Sequence, residues 1–216
     1  ELWLVGATKM AQDYADVLKA LDVPFKVIGR GATSSKTFEK ETGIPVQVGG
    51  IENALQNESG PKTAIIAVGV EQLTSVANKL LKAGASRILL EKPGGLNSDE
   101  LKILFNESKL CQAEVWLGYN RRFYASTMKA RELIKKDGGI TSCQMEFTEW
   151  SHSIRNLIKK KEIKSTWFFS NSTHVVDLAF HLCGLPKDWD CWTAGTLDWH
   201  KASARFAGAG ITDQGV

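Results

Sequence analysis

Three groups of residues in this sequence have the types and spacing to do chemistry. Asp177 and His181 stand four residues apart in Asp177-Leu178-Ala179-Phe180-His181. Residues i and i+4 of a helix share a face, so the carboxylate can hold or orient the imidazole, while Val175, Val176, Leu178, Phe180 and Leu182 make the rest apolar. Two titratable groups on an apolar helix need a partner or a purpose. They read either as a proton-transfer pair or as a buried pair that only stabilises its surroundings. Lys92 follows an apolar run in Leu89-Leu90-Glu91-Lys92-Pro93-Gly94-Gly95. An ammonium at the carboxyl end of a strand stands where open α/β sheets bind ligands. The third group is the turn Val5-Gly6-Ala7-Thr8-Lys9-Met10-Ala11, between a first apolar run and a helical stretch. Gly6 permits a tight turn and Ala11 allows close helix packing, but Thr8 stands where a dinucleotide fingerprint has its second glycine. The helix start favours an anion. By themselves these residues also fit a plain strand-to-helix turn.

The elements that must position these groups are legible in the alternation of short apolar runs with longer amphipathic stretches, the pattern of a parallel sheet covered by helices. Strands are expected at Leu2–Val5, Phe25–Ile28, Val46–Val48, Ala64–Val68, Arg87–Leu90 and Val115–Leu117, with helices at about Met10–Leu21, Ser35–Glu41, Glu52–Gln56, Gln72–Ala83 and Asp99–Leu110. Gly43 and Gly84 fall where left-handed helix ends are wanted, and Ser98 is placed as an N-cap ahead of Asp99 and Glu100. Six strands and five crossovers make a doubly wound, Rossmann-type nucleotide-binding domain over residues 1–120. A smaller α+β domain with a mainly antiparallel sheet is expected over residues 121–216. It begins with a helix at about Ser126–Lys136, a Gly138-Gly139 break and an alternating run from Thr141 to Trp150. Ser151 to Ser170 reads as irregular, Thr173–Cys183 as an apolar helix stopped by Gly184 and Pro186, and Asp190–Thr196 and Ala202–Ala209 as strands. Three strands and two helices make a thin domain that reads as incomplete at its carboxyl end.

Composition narrows the classes. The 216 residues are 43% hydrophobic and 24% charged, an ordinary globular balance that excludes disorder and collagen-like structure. No run approaches the roughly 20 apolar residues that cross a bilayer, and no export signal is visible, so a soluble cytoplasmic protein without membrane association is expected. Cys111, Cys143, Cys183 and Cys191 are widely spaced and read as reduced, mostly buried thiols rather than as a zinc site or disulfide framework, and no metal is expected. The second part carries 14 basic and 10 acidic residues against 13 and 14 in the first 120. That excess is too small and scattered for nucleic acid but suits an anionic small molecule. The basic run Lys159 to Lys161 reads as a solvated loop, and the five tryptophans after Asn120 as core or subunit contact. The second strand ends Ile28-Gly29-Arg30-Gly31 with no acidic residue for an NAD ribose. Arg30 there can pair with the 2′-phosphate of NADP or be merely a solvated strand end.

The Glu91-Lys92-Pro93 signature, Gly118-Tyr119-Asn120-Arg121-Arg122-Phe123 after the sixth run, and the Asp177/His181 pair together resemble the glucose-fructose oxidoreductase, inositol dehydrogenase and MocA family of NAD(P)-dependent oxidoreductases. The resemblance covers essentially the whole chain. It implies hydride transfer between nicotinamide and a CH–OH/C=O group of a sugar, nucleotide-sugar or cyclitol, with His181 as general base, Asp177 orienting it and Lys92 on the developing alkoxide. Gly6, Thr8, Lys9, Met10, Arg30, Val68, Gly69, Glu91, Lys92 and Asn120 would then contact the cofactor, NADP(H) in preference to NAD(H), and Lys92, Arg121, Asp177 and His181 the substrate. It also implies a homo-oligomer formed through the second-domain sheet. Relatives of that kind leave two alternatives open: an imine or tetrapyrrole-type reductase, and a non-catalytic regulator that binds dinucleotide as a signal.

Overall fold

The computed structural model describes residues 1–158 and 160–216; Lys159, part of the basic run, lies outside the described residues. The chain divides into two compact units, Glu1–Gly118 and Tyr119–Val216.

The first unit alternates strands β1 (Leu2–Val5), β2 (Phe25–Gly29), β3 (Val46–Val48), β4 (Thr63–Ile66), β5 (Arg87–Leu90) and β6 (Glu114–Leu117) with helices α1 (Lys9–Ala20), α2 (Ala32–Thr42), α3 (Gly50–Asn57), α4 (Leu73–Lys82) and α5 (Ser98–Leu110). The strands form one parallel sheet in the order β3-β2-β1-β4-β5-β6, so the winding reverses between β1 and β4. This is the doubly wound architecture expected from the alternating pattern. Strand residues point alternately to the two faces, and both faces are apolar because both carry helices. Trp3, Val5, Ile66, Ile88 and Leu90 join one core with Leu73, Ala77, Leu80 and Leu104 of α4 and α5. Leu4, Val27 and Ile65 join the other with Ala11, Ala15 and Leu18 of α1 and Phe38 of α2. Each fully buried Leu, Ile or Phe contributes about 1.5–3 kcal/mol, so these two layers supply most of the unit's stability.

Helix ends follow the expected chemistry with one shift. Gly43 and Gly84 take left-handed conformations after α2 and α4. The cap of α5, however, is Asn97 and not Ser98: the Asn97 side-chain oxygen accepts from the N–H groups of Asp99 (3.1 Å) and Glu100 (3.0 Å), and Ser98 is already helical. Asparagine competes on equal terms with serine at this position, and both precede an acidic first turn.

The second unit holds α6 (Ala125–Lys136), α7 (Ser151–Arg155), α8 (Lys161–Ser165) and α9 (Thr173–Cys183), with an antiparallel ribbon of β7 (Pro186–Ala194) and β8 (Arg205–Thr212). Two sequence expectations change. The alternating run Thr141 to Trp150 forms no strand, since β7 and β8 pair with each other and no further edge among the described residues takes its backbone. It is held instead by side chains: Phe147 stacks on Phe168, and Glu149 accepts from Trp167 Nε1, Asn171 Nδ2 and Ser172 Oγ. The stretch read as irregular contains α7, α8 and a π-helical turn, Phe168–Ser172, that runs directly into α9. Such single π turns recur at functional sites. All four cysteines are free, and only Cys183 is buried. No helix among the described residues is long and apolar enough to cross a membrane.

The cap assignment gives a direct check. Asn97→Ala should cost about 1 kcal/mol in urea unfolding, whereas Ser98→Ala should change stability by no more than a few tenths. Equal losses would return the cap to Ser98.

Candidate functional site

The reversal of winding between β1 and β4 leaves a crevice at the strands' carboxyl ends, and the first-unit candidates gather along this edge. Gly6 follows β1 with φ +129°, and a Cβ there would lie 2.2 Å from the Ala67 carbonyl oxygen. No side chain fits: the N–H of Gly6 donates to Ile28 O (2.9 Å) and the N–H of Ala67 to Val5 O (2.8 Å), locking the turn to its neighbours. Thr8 has a structural task that the sequence did not disclose. Its hydroxyl donates to Ala67 O (2.9 Å) and accepts from Ala11 N–H (3.2 Å), so it caps α1 and ties the turn to the end of β4. Lys9 and Met10 open the helix, and their N–H groups have no intrahelical acceptor behind them. Val68 and Gly69 continue from β4, and Arg30 stands exposed at the end of β2.

At the end of β5, Glu91 and Lys92 are half-buried, and Lys92-Pro93 is a cis peptide. The following loop is anchored by Thr74 Oγ1, which donates to Gly94 O (2.9 Å), and by Glu100, whose Oε2 accepts from Leu96 N–H (2.8 Å). Glu91 has a partner that no motif announced. The hydroxyl of Tyr14, on α1, donates to Glu91 Oε1 at 2.7 Å across 77 residues of sequence. Burial pushes the Glu91 carboxyl above its usual range, while the Tyr14 hydrogen bond and the Lys92 charge pull the other way. Burial and the carboxylate together drive the Tyr14 phenol upward. Gly118, closing β6, leaves room for this pair: a Cβ there would sit 3.1 Å from both Glu91 Oε1 and the Tyr14 hydroxyl.

In the second unit, Asn120 and Arg121 lie in a 3-10 turn, Asn120–Phe123, with Asn120 exposed. Asp177 and His181 do fall on one helix, α9. Their expected mutual contact is replaced. Arg122 takes the Asp177 carboxylate with both arms, Nε donating to Oδ2 at 2.8 Å and Nη2 to Oδ1. Asp177 is only 11% exposed, and a carboxylate that far from water needs a full counter-charge, which an imidazole supplies only when protonated. His181 Nε2 is shielded from solvent and has no hydrogen-bond partner among the described residues. Burial, then the charges of Arg122 and Arg131, lower its pKa from the ordinary imidazole value against the opposing pull of Asp177. The arrangement therefore offers a neutral imidazole able to accept a proton, beside a fixed ion pair. Tyr119 completes the group, edge-on to His174 at 5.7 Å between ring centroids and with the Arg122 guanidinium 5.9 Å from its own centroid. His174, in the first turn of α9, thus has an aromatic packing contact. Arg122 was visible in the sequence only as the second arginine of the Gly118–Phe123 signature. The signal that could have found it is the demand of a buried carboxylate for a cation.

No protein-family model matches the sequence, and no curated protein is matched by it. Solved structures do share its fold, and they are dehydrogenases of the type that the signatures resemble. The WlbA dehydrogenase of Bordetella pertussis, solved with NADH and UDP-GlcNAcA, superposes with a TM-score of 0.77 at 14% identity over 99% of this chain and 67% of that one. A candidate myo-inositol dehydrogenase from Sinorhizobium meliloti gives 0.73 at 18% identity, covering 99% and 66%. GenD2 of gentamicin A biosynthesis, solved with NAD, gives 0.73 at 16%, covering 99% and 62%. This chain thus spans 62 to 67% of the length of these structures. At such identities the likeness shows the fold.

Tyr14→Phe keeps the ring and removes only the donor to a half-buried carboxylate. It should cost about 1–2 kcal/mol of stability in denaturant unfolding, and an unchanged midpoint would show that the bond contributes nothing.

Proposed function

We propose that this chain belongs to a nicotinamide-dependent oxidoreductase acting on a CH–OH/C=O group of a sugar, nucleotide-sugar or cyclitol. The observation that carries the reading is the Gly6 turn at the reversal of a doubly wound sheet, on the same edge as Lys92. The residues at that edge fit a dinucleotide. Gly6 leaves the backbone bare, the start of α1 presents N–H groups to a pyrophosphate, and Val68, Gly69 and Glu91 line neighbouring strand ends. Arg30, exposed with no acidic residue at the end of its strand, favours NADP(H) over NAD(H) by pairing with a 2′-phosphate.

A bound nicotinamide supplies hydride acceptance or donation, the step that no side chain performs. In the oxidising direction His181 accepts the substrate hydroxyl proton at Nε2, and its lowered proton affinity keeps it a base below the ordinary imidazole range. The Lys92 ammonium stabilises the oxygen as it acquires negative charge. Arg121 binds substrate polar groups, and Asn120 bounds the nicotinamide side. The substrate class is supported by the neighbours, one of which was solved with a UDP-linked sugar. The β7–β8 ribbon exposes Trp189, Trp192, Phe206 and Ile211, which supports a homo-oligomer built through that sheet.

Titration with NADPH and NADH, read by energy transfer from tryptophan, should show saturable binding with NADPH preferred. Lys92→Met should retain that binding and lower turnover on the responding carbonyl or alcohol about 10²-fold or more. Binding of neither dinucleotide would sink the reading, and equal loss of binding and turnover in Lys92→Met would remove Lys92 from the chemistry.

A further inference from the structure

The sequence pairs Asp177 with His181; the folded chain pairs it with Arg122. We propose that Arg122 is a positioning residue for the proton transfer: by taking both oxygens of Asp177 it keeps the carboxylate from His181 and leaves the imidazole Nε2 without a hydrogen-bond partner among the described residues. This inference rests on the oxidoreductase reading for its use, although its geometry does not.

A planar guanidinium gripping both carboxylate oxygens leaves that carboxylate little freedom to turn, unlike a single-point lysine contact. Asp177 is nearly buried while Arg122 is 40% exposed, so water reaches the pair from the guanidinium side only. Arg122 is itself held: its guanidinium lies over the Tyr119 ring, and the 3-10 turn that carries it is closed by Thr127 Oγ1 donating to Arg121 O at 2.8 Å. The charges facing His181 come from three elements, Arg122 on the turn, Arg131 on α6 and Asp177 on α9. Two of the three are cationic, and Arg122 neutralises the third. Without Arg122 the imidazole would lose a repelling charge and gain a freed carboxylate four residues away. Both changes favour its protonated form, and a protonated imidazole cannot act as the base.

The test needs no substrate. Proton NMR titration follows the imidazoles of the chain's four histidines, and the spectrum of His181→Asn identifies the resonance of interest. Arg122→Gln should raise the His181 pKa by about one pH unit, whereas Asp177→Asn should lower it further. Unfolding cannot imitate this pair of opposite shifts, because it would bring both variants to the value of a free imidazole. Arg122→Lys, which keeps the charge and loses the fork, should raise the His181 pKa by less than Arg122→Gln does. An unmoved His181 in Arg122→Gln would overturn the inference. Dinucleotide titration of the parent chain separates the two levels. Failure to bind overturns the oxidoreductase reading on which the inference rests, while binding with an unmoved His181 overturns the inference alone.

Discussion

The approach of Gly6 to the Ala67 carbonyl is the constraint on which the first unit depends. Two parallel strands from opposite halves of the sheet meet there, and the chain leaves one of them by a turn with no room for a side chain. Because the backbone of the turn is hydrogen-bonded to both β2 and β4 through Ile28 and Ala67, the start of α1 is fixed relative to three strands at once. An anion site made of N–H groups is useful only if those groups stay where they are, since reorganisation on binding would offset the electrostatic gain. Thr8 contributes to the same end. A second glycine would allow a closer backbone approach, whereas the threonine exchanges that closeness for a cap and a tether.

The first unit was largely legible in the sequence because its signals are local. A strand buried on two faces is a short apolar run, a covering helix has a 3.6-residue stripe, and the ends carry capping residues within a turn of the boundary. Even the error at α5 was an error of one residue between two good caps, Asn97 and Ser98. In the second unit the alternating run to Trp150 misled, because alternation reports only that two faces differ. A strand also needs an edge to pair with, which lies elsewhere in the chain. Here Phe147 and Glu149 are alternate residues as the pattern says, but they meet an aromatic ring and a π turn instead of a neighbouring strand.

The candidate chemistry divides along the same line. The turn at Gly6, the lysine at a strand end and the four-residue spacing of Asp177 and His181 are all short-range patterns, and reading them required no tertiary information. The partners of those residues are long-range. Arg122 reaches Asp177 across 55 residues, and Tyr14 reaches Glu91 across 77. Spacing alone made Asp177 and His181 partners of each other. The stronger electrostatic demand of a shielded carboxylate gave Asp177 to a guanidinium instead.

The bond from Tyr14 to Glu91 makes a mechanical link of what the sequence presents as two separate signatures. Tyr14 rides on the helix whose first turn opens at Lys9, and Glu91 adjoins Lys92. The bare Gly118 backbone beside the pair leaves the room that a side chain there would take from it. The hydrogen bond thus ties the helix that opens at the glycine turn to the strand end beside Lys92, and separating the two would leave a half-buried carboxylate without that donor.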